Sequence, residues 1–520
     1  MTVVPEFDIY SGDEPYCFVS YSHANTDHVY GLLNHLAKHN FRLWYDDSME
    51  IGDDFRNELR ERIARCEAFI LFISDESMGS KYCGMEIITA HQLGKRIYPV
   101  QLDADARIPA PLQLILDNLQ HVKAYTSEPR YVDKLVVSLP PETMRRLVIE
   151  DGVVVSCQDN GANLIVPEGV TAIGPAAFKE CLQLEYVELP STLTRLGDEA
   201  FRGCTRLRRI DLGPEVTVVG HSAFRDCVRL EEATIANPTT VFAGRTFENC
   251  AALKTIHIPD DCQEIFEASF NSCRSITEFP FPKNLKVIGN SAFADCVGLT
   301  AVDLPEGTIK VDARAFADCV NLRTVNLPPG LSKIGVYAFK GCSSLEEFAI
   351  PESTTDVSSD AFRECVSLRA ITVAPANRFF KTGEGVLFNK NRSVLVAYPP
   401  ARPGATYAVP DSVTTISPWA FCQADYIEVV EVPDSVTEIG QGAFFSCGSL
   451  REIVLPSSVN YIDDIAFRAC VSLERVVLPD RVNTLGWGVF LECPNVVVEC
   501  TEGSPAWRYC EQNDIDHRAR

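Results

Sequence analysis

Thirteen phenylalanines recur at a fixed spacing through the C-terminal two-thirds of this 520-residue chain. Phe178, Phe201, Phe224, Phe247, Phe270, Phe293, Phe316, Phe339 and Phe362 are 23 residues apart, and after one interval of 59 residues Phe421, Phe444, Phe467 and Phe490 resume the period. Twelve of them are followed three residues later by a cysteine, from Cys181 to Cys493, and only Phe421 has another residue there, Ala424. A repeat of this length means a solenoid, in which one short supersecondary unit stacks on the next. Stacked units make a long binding surface and do not by themselves make an active site. Chemistry is therefore to be sought in the non-repeating N-terminal 140 residues.

A typical unit runs Leu184, Val187, Leu189, Pro190, Leu193, Leu196, Gly197, Ala200, Phe201, Cys204. The spacing Leu-x-x-Val-x-Leu predicts a short strand whose alternate residues point inward. The glycine permits a turn or a close backbone approach. The Ala-Phe pair fills the coil interior, the small residue making room for the ring. Residues between the inward strand positions should line one face: Tyr186, Glu188, Arg209, Asp211, Glu232, Thr255, His257, Asp303, Asn326, Glu431 and their equivalents, more acidic than basic. Such a face is either simply solvated or a docking surface for an unidentified protein or ligand.

Bulk properties bound the rest. Apolar residues make up 46% and charged residues 23%, ordinary for a globular protein, but the formal net charge is -24. That excess disfavours nucleic acid and anionic membranes as partners, because both want basic patches. The first Lys or Arg is Lys38 and Met1–Pro15 carries four acidic residues, which is no basic leader region. No apolar run has the length of a membrane span. A cytoplasmic location follows as an expectation. Of the twenty cysteines, twelve are repeat positions and are read as small buried hydrophobes with free thiols. Without a C-x-x-C pair no metal site is expected.

The phase and composition of the units resemble BspA-like leucine-rich repeats, found in many bacterial and some protozoan proteins. The resemblance covers 153–516. It includes an insert near 375–410, marked by Asn377, Gly385-Val386-Leu387-Phe388, Leu395 and Tyr398-Pro399, and a short amphipathic helix at Ser504–Asn513 that caps the last coil.

Ahead of the repeats the pattern changes to alternating apolar strands and amphipathic helices. Strands are predicted at Tyr16–Ser20, Phe41–Tyr45, Ala68–Ile73, Arg96–Leu102 and His121–Lys123. Helices are predicted at Thr26–His39, Asp54–Arg65, Cys83–Leu93 and Tyr131–Val137. Such alternation implies an α/β doubly wound parallel sheet of flavodoxin-like type, whose ligands sit beyond the carboxyl ends of the strands. Three segments lie at those ends: Phe18-Val19-Ser20-Tyr21-Ser22-His23, Leu43-Trp44-Tyr45-Asp46-Asp47 with Gly52, and Ser80-Lys81-Tyr82-Cys83-Gly84-Met85-Glu86. Together they resemble the three boxes of a TIR domain over residues 15–139, with Tyr82 where many members carry Trp. A tail (1–14) precedes it, and a short, stiff linker (140–152) with Pro140-Pro141 follows, expected to hold the two domains close together.

The TIR resemblance implies one of two functions. Some members are non-enzymatic adaptors or scaffolds that only self-associate. Others hydrolyse or cyclise NAD at the nicotinamide–ribose bond, and in these the glutamate of the third box is catalytic; by position it is Glu86. Chemistry agrees: loss of cationic nicotinamide develops oxocarbenium charge on the ribose, which a placed carboxylate stabilises, and no strong general acid is needed. An early-helix Glu also favours the helix dipole without any catalysis. Tyr21, Ser22, Trp44 and Tyr82 are the candidate substrate-binding residues, the aromatic ones by stacking on a base. Cys83 is read as a helix-start thiol rather than a nucleophile. The loop carrying Asp46, Met49, Ile51 and Gly52 is the candidate self-association contact. NAD is expected as substrate and no cofactor is expected, since the chain has neither a Walker-type loop nor G-x-G-x-x-G after the first strand.

Overall fold

The computed structural model describes residues 9–10, 12, 14–38, 41–46, 53–125, 131–144, 147–157, 162–237 and 241–520. The chain divides into two compact units, Met1–Val148 and Ile149–Arg520.

In the first unit the elements run β1 Cys17–Ser20, α1 Thr26–Lys38, β2 Leu43–Tyr45, α2 Asp53–Arg65, β3 Ala68–Ile73, α3 Asp75–Gly79, α4 Lys81–Gln92, β4 Arg96–Gln101, α5 Ala110–Leu116, β5 Val122–Lys123 and α6 Tyr131–Ser138. All strand pairs are parallel, in the order β2-β1-β3-β4-β5. This is the flavodoxin-type doubly wound order, whose reversal of direction lies between β1 and β3. Every residue of β3 is buried, as a central strand covered on both faces requires. On one face Cys17, Val19, Ile70 and Phe72 pack with Val29, Leu33 and Leu36 of α1 and Leu135 of α6. On the other Phe18, Trp44, Phe69 and Leu71 pack with Leu59 and Ile63 of α2, Ile87 and Ala90 of α4, and Leu112 and Leu116 of α5.

Each predicted strand and helix is present, with ends moved by one or two residues. The short helices α3 and α5 are additions. Neither is long enough for a helical period to show in its residues, and α3 is set by its ends: Ser74 and Ser77 cap each other reciprocally. Residues 141–143 form a 3-10 turn in which Thr143 is fully buried, and its carbonyl accepts the Arg42 N–H at 2.7 Å. The Arg42 guanidinium donates to the carbonyls of Pro15 and Glu142 at 2.9 and 3.0 Å. The Pro140-Pro141 segment is thus tied to the first unit.

The second unit is a parallel solenoid. Strands such as Tyr186–Glu188, Arg209–Leu212 and Glu232–Ile235 stack in register, Tyr186 beside Arg209 and Arg209 beside Glu232. A second column of two-residue strands, Arg195–Leu196 beside Val218–Val219, runs along another side. Side chains alternate as the apolar spacing predicts: in Arg209–Leu212 only Ile210 and Leu212 are buried. The phenylalanine rings stack one on the next, with centroids 4.7 Å apart at Phe178–Phe201 and 5.4 Å at Phe293–Phe316. Each following thiol donates to the carbonyl of the phenylalanine one coil back, as Cys204 does to Phe178 at 3.0 Å and Cys296 to Phe270 at 3.1 Å. All twenty cysteines are free. The glycine after the second strand is needed for close approach: a Cβ on Gly220 would lie 2.4 Å from the Gly197 carbonyl carbon.

A third ladder runs through the phenylalanine turns. The N–H groups of Ala176, Phe178 and Glu180 donate to the carbonyls of Asp198, Ala200 and Arg202 in the next coil, at 2.8, 2.8 and 2.7 Å. The residues two before and two after the ring adopt positive φ, 54° at Ala176 and 58° at Glu180, at every repeat phenylalanine but Phe362, where Asp360 does not. Alternating hand along the chain turns successive N–H groups the same way, toward the next coil.

The insert is a hairpin of Phe380–Gly383 and Val386–Asn389, continued by antiparallel Val394–Ala397, which rejoins the solenoid beside Thr415–Ile416. On its far side the aromatic ladder restarts one coil before Phe421. Tyr398, 23 residues before Phe421, takes the ring position. Its ring stacks on Phe421 at 4.8 Å, and its N–H donates to Ala420 as Phe178 does to Ala200. The helix α7, Pro505–Gln512, is capped by Ser504 and packs against the last coil through Ala506 and Cys510.

Candidate functional site

The site forms where β1, β2 and β3 end. Ser20 is the last residue of β1 and has the parity of Phe18, so it faces the helices on the α2–α4 side. Past β3, Ser80 caps α4, accepting the Cys83 N–H, and this places Glu86 about one and a half turns into the helix. Ser20 Oγ donates to Glu86 Oε2 at 2.5 Å. Glu86 is half-buried as a residue, and protein crowds its carboxyl. Burial pushes its pKa up from 4.5 to about 7; the Ser20 hydrogen bond opposes this and the nearby Asp46 carboxylate adds to it. A carboxyl poised there is largely ionised above neutrality and desolvated enough to act strongly on a developing cation.

The other sequence-predicted residues take different places. Tyr82, on the exposed surface of α4 one turn before Glu86, has a ring open to solvent. Tyr21 is buried; its ring packs among His23, Tyr30 and Tyr45, and its hydroxyl reaches the Asp46 carbonyl at 3.4 Å. Trp44 is also buried, stacked on Phe18 at 4.8 Å with the Arg62 guanidinium 5.6 Å from its ring centroid. Ser22 caps the turn His23–Asn25 by accepting the Ala24 N–H. Asp46 ends β2 within electrostatic reach of Glu86. Met49, Ile51 and Gly52 lie outside the described residues.

Cys83 is buried, and its thiol donates to the Tyr21 carbonyl at 3.4 Å. Burial, then the Glu86 charge, pushes its pKa up to about 11, the opposite of what a nucleophilic thiol needs. Two features are not evident from the motifs alone. One is the Ser20–Glu86 bond. Its signal was strand parity, which puts Phe18 and Ser20 on one face. The other is a polar cluster at the end of β3: Ser74 Oγ donates to Asn25 Oδ1 at 2.7 Å, and Asn25 Nδ2 donates to Glu76 at 3.3 Å. Its members come from two segments far apart in the sequence, Asn25 from the turn after β1 and Ser74 and Glu76 from the start of α3, and no spacing announces them. Among the described residues no group of His, Cys, Asp and Glu side chains is placed to hold a metal ion, and no helix is long and apolar enough to cross a membrane.

Comparison with known proteins agrees with this division. The TIR domain profile matches residues 17–136, and the profile of the BspA type leucine rich repeat region matches residues 149–277, 263–390 and 405–501. No curated protein matches the chain. Among solved structures, a leucine rich cell surface protein from Faecalibacterium prausnitzii A2-165 is 23% identical, over 70% of this chain and 93% of that one, with a TM-score of 0.44. A leucine-rich repeat protein from Bacteroides ovatus is 22% identical, over 72% of this chain and 91% of that one, with a TM-score of 0.47. A leucine rich repeat protein from T. pallidum is 28% identical over 40% of this chain and 86% of its own, with a TM-score of 0.28. A TIR domain joined to leucine-rich repeats belongs to signalling or defence in general, and both parts serve protein–protein interaction. With both profiles matched in sequence order over most of its length, the chain belongs to the BspA-type leucine-rich repeat family and carries a TIR domain ahead of its repeats.

Proposed function

We propose that the first unit cleaves NAD at the nicotinamide–ribose bond, in a cytoplasmic protein whose repeats bind a partner and bring copies together. The observation that carries this reading is the crowded Glu86 carboxyl, bonded to Ser20 beyond the carboxyl ends of a parallel sheet. In its ionised form Glu86 stabilises the positive charge that develops on the ribose as nicotinamide leaves. Ser20 holds the carboxylate oriented and keeps one oxygen occupied, leaving the other for the ribose. Tyr82, exposed one turn away, is the ring free to stack on the substrate. Tyr21 and Trp44 support the floor of the site instead, since their rings are already packed.

The test is nicotinamide release by the purified full chain incubated with NAD. Glu86→Gln keeps size and hydrogen bonding but removes the charge, and turnover is expected to fall by at least about a hundredfold. Equal turnover by Glu86→Gln and wild type refutes the assignment.

A specific observation favours the second reading, a non-enzymatic scaffold. Tyr82, Met85, Ile88 and Leu93 of the α4 segment all expose apolar surface on one side of the first unit. Under that reading the stripe is a self-association surface continuous in function with the Asp46–Asp53 loop. It predicts no cleavage by wild type at any concentration, together with loss of association in Met85→Asp.

A further inference from the structure

We propose that Asn25 is a positioning residue for Glu86, holding that carboxyl against Ser20 through a zipper of hydrogen bonds laid across the crevice between β1 and β3. Four bonds join the loop after β1 to the segment that runs from the end of β3 into α4. Ser20 Oγ donates to Glu86 Oε2 at 2.5 Å, and the Cys83 thiol donates to the Tyr21 carbonyl at 3.4 Å. Ser74 Oγ donates to Asn25 Oδ1 at 2.7 Å, and Asn25 Nδ2 donates to Glu76 at 3.3 Å. As the first segment advances from Ser20 to Asn25, its partners step back from Glu86 to Ser74, so the two run antiparallel. The bonds cross the point where the strand order reverses, the place where an open parallel sheet has its ligand crevice.

The two partners at the Glu86 end are held in different ways. The sheet itself fixes Ser20, since β1 pairs with β3 up to Ser20 beside Leu71. Glu86 lies on α4, whose Ile87 and Ala90 pack on the sheet and set its height above it. Where α4 starts along the sheet depends on α3, the link between β3 and α4.

That link has five residues, too few to persist as a helix by itself. The reciprocal Ser74–Ser77 cap shapes it without tying it to β1. On its far side Asp75 ties it to the loop after β4: its N–H donates to Asp103 at 3.2 Å, and its carboxylate accepts the Arg107 N–H at 2.8 Å. Toward β1 the tie is Asn25, whose amide spends both its acceptor and its donor on this one segment. The ends of the zipper differ in exposure. Ser20, Tyr21, Cys83 and Ser74 are buried, whereas the Asn25–Glu76 bond is exposed. Loss of Asn25 therefore opens the zipper from its wet end, frees the start of α4 to shift, and loosens the Ser20–Glu86 bond at the other end. The consequence for turnover rests on the NAD reading; the positioning itself does not.

The test uses the full chain and two readouts. The first is alkylation of Cys83 by N-ethylmaleimide, resolved by peptide mass, with the buried Cys17 and Cys66 of the same unit reporting global opening. Asn25→Ala should raise the Cys83 rate at least about tenfold and leave the Cys17 and Cys66 rates unchanged. Glu76→Gln keeps an acceptor for Asn25 Nδ2 and should leave Cys83 as protected as in wild type. If Asn25→Ala fails to fold, Asn25→Asp keeps the acceptor for Ser74 Oγ, sets a carboxylate against Glu76, and should raise the Cys83 rate by a smaller factor. The second readout is nicotinamide release. Asn25→Ala should lower kcat by about tenfold at nearly constant KM, and should cost nothing further in a chain that already carries Ser20→Ala, because both changes act on one bond. Unchanged Cys83 alkylation, a rise shared by Cys17 and Cys66, or additive losses in the double variant would overturn the proposal. A wild type that releases no nicotinamide overturns the NAD reading alone, and alkylation still decides the positioning.

Discussion

The pKa of Glu86 makes a prediction about folding that does not depend on whether the protein is an enzyme. The carboxyl goes from 4.5 in the unfolded chain to about 7 in the folded one, because burial and Asp46 outweigh the Ser20 hydrogen bond. Between those values the folded state holds a proton that the unfolded state has released, so stability falls as pH rises through this window. Each unit of difference is about 1.4 kcal/mol, and the shift of between two and three units costs the first unit on the order of 3 kcal/mol above pH 7. Below 4.5 both states are protonated and the penalty is absent. Glu86→Gln removes the titration and keeps an acceptor for Ser20 Oγ. Near pH 4.5 the variant and wild type should therefore be close in stability, and near pH 8 the variant should be the more stable. The reporter is hydrogen-exchange protection of the Ala68–Ile73 amides, whose side chains are all buried in the centre of the sheet, corrected for intrinsic exchange. Taking the difference between the two proteins cancels every other titrating group. A stability difference that stays constant from pH 5 to pH 8 would refute the burial of this carboxyl, and with it the site as described.

Four further substitutions have outcomes set by the local structure. Ser20→Ala deletes the one bond that lowers the Glu86 pKa, so the midpoint of the pH–rate profile for nicotinamide release should move up by about one to two units, the worth of a hydrogen bond to a charged group; an unmoved midpoint excludes the bond. Phe293→Ala removes a ring packed between Phe270 and Phe316 and against Phe279, and chemical denaturation of the second unit should show a loss of about 3–5 kcal/mol. Gly220→Ala should destabilise by driving a Cβ into the Gly197 backbone. Gly31→Ala, in the interior of α1 with open space around it, should instead stabilise by up to about 1 kcal/mol, as read from exchange protection of that helix.

The solenoid was legible because each coil repeats one solution to one packing problem. Phe at every twenty-third residue, Cys three later and Ala just before are all interior positions, and the structure stacks them accordingly. What the pattern hid is the part made by backbone. The third ladder needs positive φ at Ala176, Glu199, Ser222, Arg245 and Trp419, residues of no shared chemical type. Neighbouring coils supply enough hydrogen bonds to hold them there, so composition carries no trace of it. Tyr398 was hidden for a different reason. A search for phenylalanine sees an interval of 59 residues, whereas a search for any aromatic ring sees 36 and then the normal 23. The insert lengthens one coil, and Arg363 stacks 3.8 Å over Trp419 across the join.

At the site, motif spacing placed Glu86 on the predicted helix after β3 and Tyr82 just ahead of it, but it could not rank the aromatic residues by availability. Tyr21, Trp44 and Tyr82 are chemically similar as stacking groups. Burial separates them, and burial depends on which side of the sheet each strand residue faces and on what packs there. Trp44 pairs in register with Phe18, and both face α2, so its ring is enclosed. Tyr21 lies beyond the end of β1, on the α1 side with Tyr30 and Tyr45. Ser20 lies between these two fates. It has the parity of Phe18 but sits at the strand's last position, where the layer of large apolar side chains ends and Glu86 comes down from α4. A small hydroxyl there both fits the gap and supplies the donor that the crowded carboxyl needs. The serine at the end of β1 is thus a structural partner of the glutamate six elements later, which gives β1 and the box after β3 one shared purpose.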